Sequence, residues 1–277
     1  IDENSGFAVG SDYTILQTTD GGINWKVKQA FENNYYNAID FPNENIGYVA
    51  GNGGIIKKTT DGGTNWESQQ PRTTKDLQSI FCIDENKVFI VGNHGTILKT
   101  TDGLSWHTMN AGTTNDLYAV YFLNKDIGYA VGENGTILMT NNAGNEWSSQ
   151  TSGTLFRLND VYFVDENMDY IVGEFDSPSM DIILKSLDGG SNWTVVSSTH
   201  NRILYSVEFT SPTSGFAVGL TFNDNSNGLI WKTKEGGNQW VEYNTNSGGY
   251  LFDADFVNDN TGYAVGFDGT IVKTTDG

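Results

Sequence analysis

The sequence predicts an all-β protein: a seven-bladed β-propeller of four-stranded antiparallel blades, with the first and last blades incomplete. Three observations support this fold. An eight-residue phrase recurs along the chain, four strand-like runs lie within each repeat, and isoleucine occupies one position of every repeat. A period of about 40 residues with four strands per repeat is typical of propeller blades.

The recurring phrase has the pattern Ser/Thr-x-Asp-x-Gly-x-x-Trp. Two of its copies are TTDGGINW at 18–25 and TTDGGTNW at 59–66. The tryptophans that close six copies are separated by 41, 40, 41, 46 and 47 residues, and a seventh copy begins at 274–277. This regular spacing indicates one structural unit per period.

Residues 116–150 show how a single unit is built. The runs LYAVYF, IGYAVG, TILMT and EWSSQ are each of strand length and rich in β-branched or aromatic residues. The segments between them carry Asn, Asp and Gly, which favour turns. The phrase lies between the third and fourth runs, so we expect it to form the hairpin loop that joins those two strands.

Aligning the units shows further repeated positions. The isoleucine five residues before the acidic position of the phrase is Ile15, Ile56, Ile97, Ile137, Ile183, Ile230 and Ile271. One position of the first strand holds Phe41, Phe122, Phe163, Phe209 and Phe256, and Cys82 is its sixth occupant. We therefore interpret Cys82 as a small core residue. Lysines at 58, 99, 185, 232 and 273 share a third-strand position, where we expect them to keep a near-edge strand soluble.

The whole chain reads as a single propeller domain, 1–277. Its seven repeats cover approximately 1–30, 31–71, 72–111, 112–152, 153–198, 199–246 and 247–277. The first repeat begins at the turn before a second strand, and the last stops after a third strand. The pattern thus gives 26 strands where seven full blades need 28. We expect the chain to be an excerpt of a longer polypeptide whose continuation supplies the two missing strands.

Composition limits the class of partner. The formal net charge is −19, from 34 acidic and 15 basic residues, which argues against binding nucleic acid or anionic lipid. With one cysteine, no disulfide forms within the chain. The sequence contains no apolar run long enough to insert into a membrane. The histidines show no paired metal-ligand spacing, so the sequence predicts neither a metal nor a cofactor.

The repeated phrase is predicted to stabilise the fold. Its aspartate can accept hydrogen bonds from the backbone of its own turn, its glycine adopts positive φ, and its tryptophan packs into the blade. One acid per blade cannot converge on a catalytic centre, and Asn142 and Glu235 replace the aspartate in two copies. The structural positions are Asp20, Trp25, Asp61, Trp66, Asp102, Trp106, Asn142, Trp147, Asp188, Trp193, Glu235, Trp240 and Asp276.

This phrase resembles the Asp-box, or BNR repeat. Together with GYAVG and GTILKTTDG it is similar to the photosystem II stability factor, or Ycf48-like, family of propellers, and the resemblance covers the whole chain. The resemblance implies a propeller fold and, for the best-known members, a role in photosystem assembly. Asp-boxes also occur in sialidases, glucan hydrolases and sortilin-type receptors. A carbohydrate-related function therefore stays open.

Binding residues are expected on the face opposite the phrase turns. Two second-to-third-strand loops are longer than the others, EFDSPSMD at 174–181 and LTFNDNSNG at 220–228. Long loops are where binding function concentrates, although neutral insertion is an equal alternative. The candidate side chains on this rim are Phe175, Asp176, Phe222, Asp224 and Tyr250.

The chain's three arginines are further candidates. Arg72, Arg157 and Arg202 all lie just before a first strand, on the same expected face. Guanidinium groups suit binding of carboxylate or phosphate. The Ycf48-like resemblance implies an arginine patch on a propeller face. The alternative, three solvated arginines paired with nearby acids, also fits.

The sequence thus favours a non-enzymatic scaffold that binds a protein or a glycan through its loop face. The alternatives are a carbohydrate-active enzyme or lectin-like domain, and a Ycf48-like photosystem assembly factor. The acid-rich, arginine-poor composition favours an extracellular or cell-surface location in a bacterium.

Overall fold

The computed structural model describes residues 4–29, 34–176, 179–222, 227–245 and 249–277. These residues form 26 β-strands arranged in seven antiparallel sheets, and within each sheet the strands follow one another in chain order. Five sheets have four strands, while the first and the last have three. The prediction of an all-β, seven-bladed β-propeller with incomplete first and last blades is confirmed. Each sheet is called a blade below.

Blades one to four contain strands β1 to β15. Their bounds are β1 Gly6–Val9, β2 Ile15–Thr18 and β3 Lys26–Gln29; β4 Tyr36–Asp40, β5 Gly47–Gly51, β6 Ile56–Thr59 and β7 Glu67–Ser68; β8 Leu77–Cys82, β9 Val88–Gly92, β10 Thr96–Thr100 and β11 His107–Met109; β12 Leu117–Phe122, β13 Gly128–Gly132, β14 Thr136–Thr140 and β15 Ser148–Thr151.

Blades five to seven contain strands β16 to β26. Their bounds are β16 Arg157–Phe163, β17 Asp169–Asp176, β18 Ser179–Ser186 and β19 Thr194–Ser197; β20 Arg202–Phe209, β21 Gly215–Thr221, β22 Asn227–Thr233 and β23 Val241–Asn244; β24 Leu251–Phe256, β25 Gly262–Gly266 and β26 Ile271–Thr274. Short 3₁₀ turns at Asn52–Gly54, Glu133–Gly135 and Phe267–Gly269 join second to third strands.

The chain divides into two compact units. Unit 1 comprises Ile1–Ala130 and Leu138–Ser149, and unit 2 comprises Val131–Ile137 and Gln150–Gly277. The division passes through blade four. Each unit has its own aromatic and aliphatic core, and the two are described separately.

Aromatic rings join consecutive blades within each unit. In unit 1, Phe89 of the second strand of blade three stacks on Phe122 of the first strand of blade four, with ring centroids 4.2 Å apart. In unit 2, Tyr170 stacks on Phe209 in the same way at 4.3 Å. The edge of Phe209 then meets Trp240, which closes the phrase of its own blade, at 6.0 Å. Such pairs add about 0.5–1.5 kcal/mol each beyond the area they bury.

Glycine at the start of the second strand makes room for the first-strand phenylalanine. A Cβ atom at Gly128 would lie 2.6 Å from the ring of Phe122, and Gly215 stands in the same relation to Phe209. The first glycine of GFAVG or GYAVG therefore packs directly against the recurrent first-strand phenylalanine. This contact explains why both residues repeat.

Asp169 breaks this rule in blade five. It pairs with Phe163 across the ladder, at the position where glycine stands in five other blades. Its side chain is fully buried, and neither carboxylate oxygen accepts a hydrogen bond from the described residues. Burial, reinforced by nearby acidic groups, raises the pKa of Asp169 to about 7.

Hydrogen bonds inside the phrase close its turn. Asp61 Oδ1 accepts from the Asn65 N–H at 2.8 Å, and its Oδ2 accepts from the Asn65 side-chain amide at 2.7 Å. The Thr59 hydroxyl donates to Asp61 and accepts from the Gly63 N–H at 2.9 Å. These bonds recur around Asp20 and Asp188.

The less regular copies keep part of the network. Asp102 accepts from the N–H groups of Leu104 and Ser105, and Asn142 accepts from the N–H of Glu146. In the Glu235 copy the Thr233 hydroxyl accepts the N–H groups of residues 235 and 237. The threonine or serine hydroxyl is thus the most constant element of the turn.

The side chain three residues before the acidic position of a phrase can donate a hydrogen bond to the phrase of the following blade. Lys58 Nζ donates to the Gly103 carbonyl at 3.2 Å, and Lys185 Nζ donates to the Gly236 carbonyl at 2.7 Å. Gln17 makes the equivalent bond to the Gly62 carbonyl at 3.3 Å. Each of these side chains therefore connects one blade to the next.

Three of these lysines are buried, which corrects the expectation that they solubilise an edge. Lys99, Lys185 and Lys232 are at most 9% exposed, and burial lowers the pKa of each. The ammonium groups of Lys99 and Lys185 sit over the rings of Phe89 and Tyr170, at 5.7 and 5.4 Å from the centroids. Cation–π attraction and the bond to the next phrase offset their loss of water.

Removal of the buried threonine hydroxyl tests the role of the phrase. We expect Thr59→Val to lower the free energy of unfolding by about 1–3 kcal/mol, because the N–H groups of residues 61 and 63 lose their acceptor. Urea unfolding followed by tryptophan fluorescence measures this loss. The matched control is Thr64→Val in the same turn, where the side chain is exposed and no such change is expected. Equal stability of both variants would contradict the structural role.

Candidate functional site

The loops between blades and the second-to-third-strand loops lie at the same end of the strands in unit 2. The N–H of Gly135 bonds the carbonyl of Phe156 at 2.7 Å, and the N–H of Phe222 bonds that of Asn201 at 2.8 Å. Phe267 and Tyr250 are joined in the same way. We call this end, formed by residues 154–157, 174–176, 179–181, 199–202, 221–222, 250 and 267, the loop face of unit 2.

The two long loops predicted from the sequence are largely strand. In blade five, β17 continues to Asp176 and β18 begins at Ser179, and Phe175 pairs with Met180. In blade six, Thr221 pairs with Asn227. The extra residues thus lengthen two hairpins at the loop face. Asp224 lies outside the described residues, as does the side chain of Asp176.

Several large apolar side chains are exposed on this face. Phe175 is 40% exposed and its ring lies 5.2 Å from that of Phe156, beside Leu155, which is 75% exposed. Phe222, at the end of the neighbouring hairpin, is 42% exposed. The structure therefore places Phe175 and Phe222 in solvent, where a partner can reach them.

Tyr250 lies in the connection to blade seven. Its ring contacts that of Phe267, with centroids 5.7 Å apart, and Phe267 is 56% exposed. The contact extends the set of aromatic residues on the loop face to a third blade.

Arg157 is held by a buried acid. It is the first residue of β16 and pairs across the ladder with Glu174, whose side chain is 4% exposed. The Arg157 Nη1 atom lies 3.5 Å from Glu174 Oε1, while 42% of the arginine side chain remains exposed. The buried carboxylate of Glu174 thus orients the Arg157 guanidinium, and much of the arginine side chain is still exposed to solvent.

Arg202 has a different environment. Its guanidinium lies 5.5 Å from the ring of Trp231, donates to the Thr199 hydroxyl at 3.2 Å and pairs with Glu242. Only 20% of its side chain is exposed. These contacts assign Arg202 to packing of blade six.

Arg72 belongs to unit 1. It is exposed in the connection between β7 and β8, with a left-handed backbone (φ 58°). It forms no ion pair with any residue in the described part of the chain. Each of the three arginines thus has its own surroundings, and only Arg157 combines an acidic partner with an open guanidinium.

Two buried carboxylates face each other near the loop face of blade five. Glu174 and Asp181 are direct ladder partners and both are almost fully buried. They are bound by different groups, Glu174 by Arg157 and Asp181 by the N–H and hydroxyl of Thr199, both at 2.7 Å. Burial raises the pKa of Asp181. Both carboxylates are thus engaged in holding the hairpin to its flanking strands.

Sequence reasoning missed several of these residues. Leu155 and Phe156 form an apolar pair in an otherwise polar connection, a signal that the sequence carries just before Arg157. Glu174 and Glu242 carry no such signal, because each meets its arginine only when the blade is folded.

Neither a metal site nor a membrane-spanning helix is found in the described residues. No group of three or more His, Cys, Asp or Glu side chains there could hold a metal ion. Among the same residues no helix has the length and apolar character needed to cross a bilayer.

One known family model matches most of the chain. The model described as "Photosynthesis system II assembly factor YCF48" matches residues 1–104 and 101–201, more than half of the 277 residues. The chain belongs to this family. The resemblance drawn from the Asp-box phrase and the GYAVG strings is therefore confirmed.

Solved structures agree with the fold. The chain is similar to "YCF48 bound to D1 peptide" with a TM-score of 0.79 and 17% identity over 100% of this chain and 91% of that one. It is similar to YCF48 from Cyanidioschyzon merolae with a TM-score of 0.77 and 20% identity over 99% and 92%. A GH74 xyloglucanase from Xanthomonas campestris reaches 0.79 with 10% identity, over 99% of this chain and 50% of that one. A search of curated proteins found no match.

Buried acids predict an unusual pH dependence of stability. Burial raises the pKa of Asp160 and Asp169 to about 7 and also raises that of Glu208. An acid whose pKa is higher in the folded state stabilises the fold when protonated, so this contribution is lost as pH rises from about 4 past 7. We expect the free energy of unfolding to be larger at pH 5 than at pH 8 by about 2–4 kcal/mol.

Urea unfolding at both pH values measures this difference. Asp169→Gly, which introduces the residue found in five other blades, should reduce it, whereas Glu166→Gln removes an exposed acid and should leave it nearly unchanged. The phrase aspartates Asp20, Asp61 and Asp188 have lowered pKa values, so their contributions do not change in this range. Greater stability at pH 8 would contradict the prediction.

Proposed function

We propose that this chain is a non-enzymatic assembly factor that binds a segment of a partner protein on the loop face of unit 2. Membership of the Ycf48 family supports the assembly role. The similar YCF48 structure with a bound D1 peptide supports a polypeptide ligand. The observation that carries the proposal is the exposed aromatic group around Phe175 on this face.

The exposed rings supply the contact area for binding. Phe175 and Phe222 end two lengthened hairpins, and Phe156 supports Phe175 from the neighbouring connection. Aromatic residues are enriched at the centres of protein interfaces, where a few of them provide most of the binding energy. Exposed apolar groups that border polar residues commonly mark such interfaces.

Arg157 adds a polar anchor beside the rings. Its buried partner Glu174 fixes the direction of the guanidinium, so less side-chain freedom is lost when a ligand binds. An oriented arginine can donate to a carboxylate or to backbone carbonyls of a bound segment. The site therefore suits an extended peptide with apolar side chains and an acceptor near Arg157.

A carbohydrate-active function is the alternative, and the Glu174–Asp181 pair is the observation that favours it. Two carboxylates at short range are the usual machinery of glycoside hydrolysis. Here Arg157 and Thr199 engage them, so neither is presented to a substrate. Likeness to the xyloglucanase at 10% identity concerns the fold alone. A binding role remains the better supported function.

The proposal includes an extracellular or cell-surface location. The support is compositional: a net charge of −19 and only three arginines. Protease treatment of intact cells, followed by detection of the chain, tests this location. Degradation without cell lysis is expected, and full protection would contradict it.

Substitution of the exposed rings tests the binding site. With overlapping peptides of the D1 protein as probes, we expect Phe175→Ala and Phe222→Ala each to weaken binding about 10-fold, the usual effect of removing an interface aromatic. Fluorescence anisotropy of labelled peptides measures the dissociation constants.

The matched control is Leu104→Ala. Leu104 is 64% exposed but lies in a phrase turn of unit 1, so its removal should leave peptide binding unchanged. An equal loss in this variant, no effect at Phe175, or turnover of chromogenic glycosides would contradict the proposed function.

A further inference from the structure

The phrase of blade four reverses the side-chain hydrogen bond that closes the regular copies. In blade two the acid comes first, and Asp61 Oδ2 accepts from the side-chain amide of Asn65, four residues later, at 2.7 Å. In blade four Asn142 stands in place of the aspartate, and its Nδ2 donates to Oε2 of Glu146, four residues later, at 3.2 Å. The turn therefore keeps the bond, while its carboxylate moves from the third to the seventh position of the phrase.

This exchange leaves one carboxylate oxygen open. In the regular turn both oxygens of Asp61 are used, by the backbone and side-chain amides of Asn65 and by the Thr59 hydroxyl. Glu146 is exposed, and among contacts with the described residues only its Oε2 accepts a hydrogen bond. The Oε1 atom of Glu146 can therefore accept from a donor outside the chain.

A chain of hydrogen bonds orients Glu146. The buried Lys99 ammonium donates to Asn145 Oδ1 at 2.8 Å, and Asn145 Nδ2 donates to the Asn142 carbonyl at 2.8 Å. Asn142 in turn holds Glu146 through its side-chain amide, and its Oδ1 accepts the Glu146 N–H at 3.0 Å. Because these groups are fixed before a ligand arrives, less side-chain freedom is lost on binding.

Glu146 borders a groove between the outer strand of blade three and the phrase of blade four, within unit 1. The groove has a volume of about 420 Å³, which suits a small ligand. Met139 and Trp147 form its apolar wall. The rings of Phe89 and Phe122 meet Trp147 edge to face, at 6.5 and 6.0 Å, and hold the indole in place. The indole N–H is buried, so Trp147 offers carbon surface to a ligand.

The polar wall combines free amides with the open carboxylate. Asn110 Oδ1 accepts from the Gly112 N–H at 3.0 Å, while Asn110 Nδ2 and the Asn141 amide make no hydrogen bond to any residue in the described part of the chain. Amide N–H groups need acceptors and a carboxylate oxygen needs a donor, and a hydroxyl group supplies both. A cation cannot accept from the amides, and Glu146 repels an anion. The groove therefore suits a neutral ligand with several hydroxyl groups.

We propose that this groove binds a pyranose ring of a neutral glycan. The C–H face of the sugar packs on the carbon surface of Trp147. Neighbouring hydroxyls of the ring bond the Glu146 carboxylate and the amides of Asn110 and Asn141. Glu146 is the one acid among the described residues that line the groove, and glycoside hydrolysis uses two carboxylates, so the site binds a glycan without cleaving it. This site goes beyond the peptide site on the loop face of unit 2.

Restoring the regular phrase tests the site without opening the turn. The double variant Asn142→Asp with Glu146→Asn recreates the acid–amide pair of the regular copies, so the fold is retained and the open carboxylate is lost. Asn141→Ala removes one of the free amides. The matched control is Thr60→Ala, which changes the same exposed position in the phrase of blade two. Thermal melts of all variants check that the fold is retained.

Neutral oligosaccharides are the probes: cellohexaose, maltohexaose, mannohexaose and xylohexaose. Isothermal titration calorimetry on the 277-residue chain measures their affinities. We expect at least one probe to bind, and we expect its affinity to fall about 10-fold in the double variant and in Asn141→Ala, as for the loss of one hydrogen bond to a ligand. Thr60→Ala should bind like the unchanged chain.

Two results would overturn the proposal. Failure of all four probes to bind, or equal affinity of the unchanged chain and the double variant, would show that the groove of blade four is not a sugar site. Binding of a tetralysine peptide in place of the sugars, lost in the double variant, would assign the open carboxylate to a cation.

Discussion

The contact between consecutive blades is the interaction on which the rest of the structure depends. A second-strand ring such as Tyr170 stacks on the first-strand Phe209 of the next blade, and Lys185 lies over the ring and donates to the next phrase. The phrase must hold its carbonyl in place for this bond, and the hydroxyl and acid inside the turn do so. Repetition of the phrase is thus a requirement of the interface between blades, and the repeats stabilise one another in series.

The contacts between blades constrain the phrase end of the strands, and they leave the loop end free to vary in length. The phrase end is fixed by bonds inside the turn and by the lysine from the preceding blade. At the loop end, β17 and β18 have eight residues each, whereas β13 and β14 have five. The added residues place Phe175 outside the core, and the pairing of β17 with β18 continues without interruption. A rigid scaffold with variable ends is the usual arrangement of binding proteins.

The sequence predicts the fold well because its signals are local and repeated. Turn residues, the phrase and the glycine–phenylalanine pairing define strands and blades before any long-range contact is known. The environment of single side chains is less predictable. Lys99 looks like a solvent-exposed lysine in sequence, and its burial depends on Asn145, 46 residues away. In the sequence Arg157 and Arg202 occupy similar places just before a first strand. In the structure Trp231 and Glu242 cover most of Arg202. Arg157 pairs with Glu174 and keeps much of its side chain exposed.

Hydrogen exchange tests most directly the claim that the phrase is scaffold and the loop face is the binding site. The chain is compared by mass spectrometry in the absence and in the presence of overlapping D1 peptides. We predict slower exchange on binding in segments 154–158, 171–176 and 217–222, and no change in phrase turns such as 59–66 and 100–106. Protection confined to the phrase turns, with the loop face unchanged, would contradict the account.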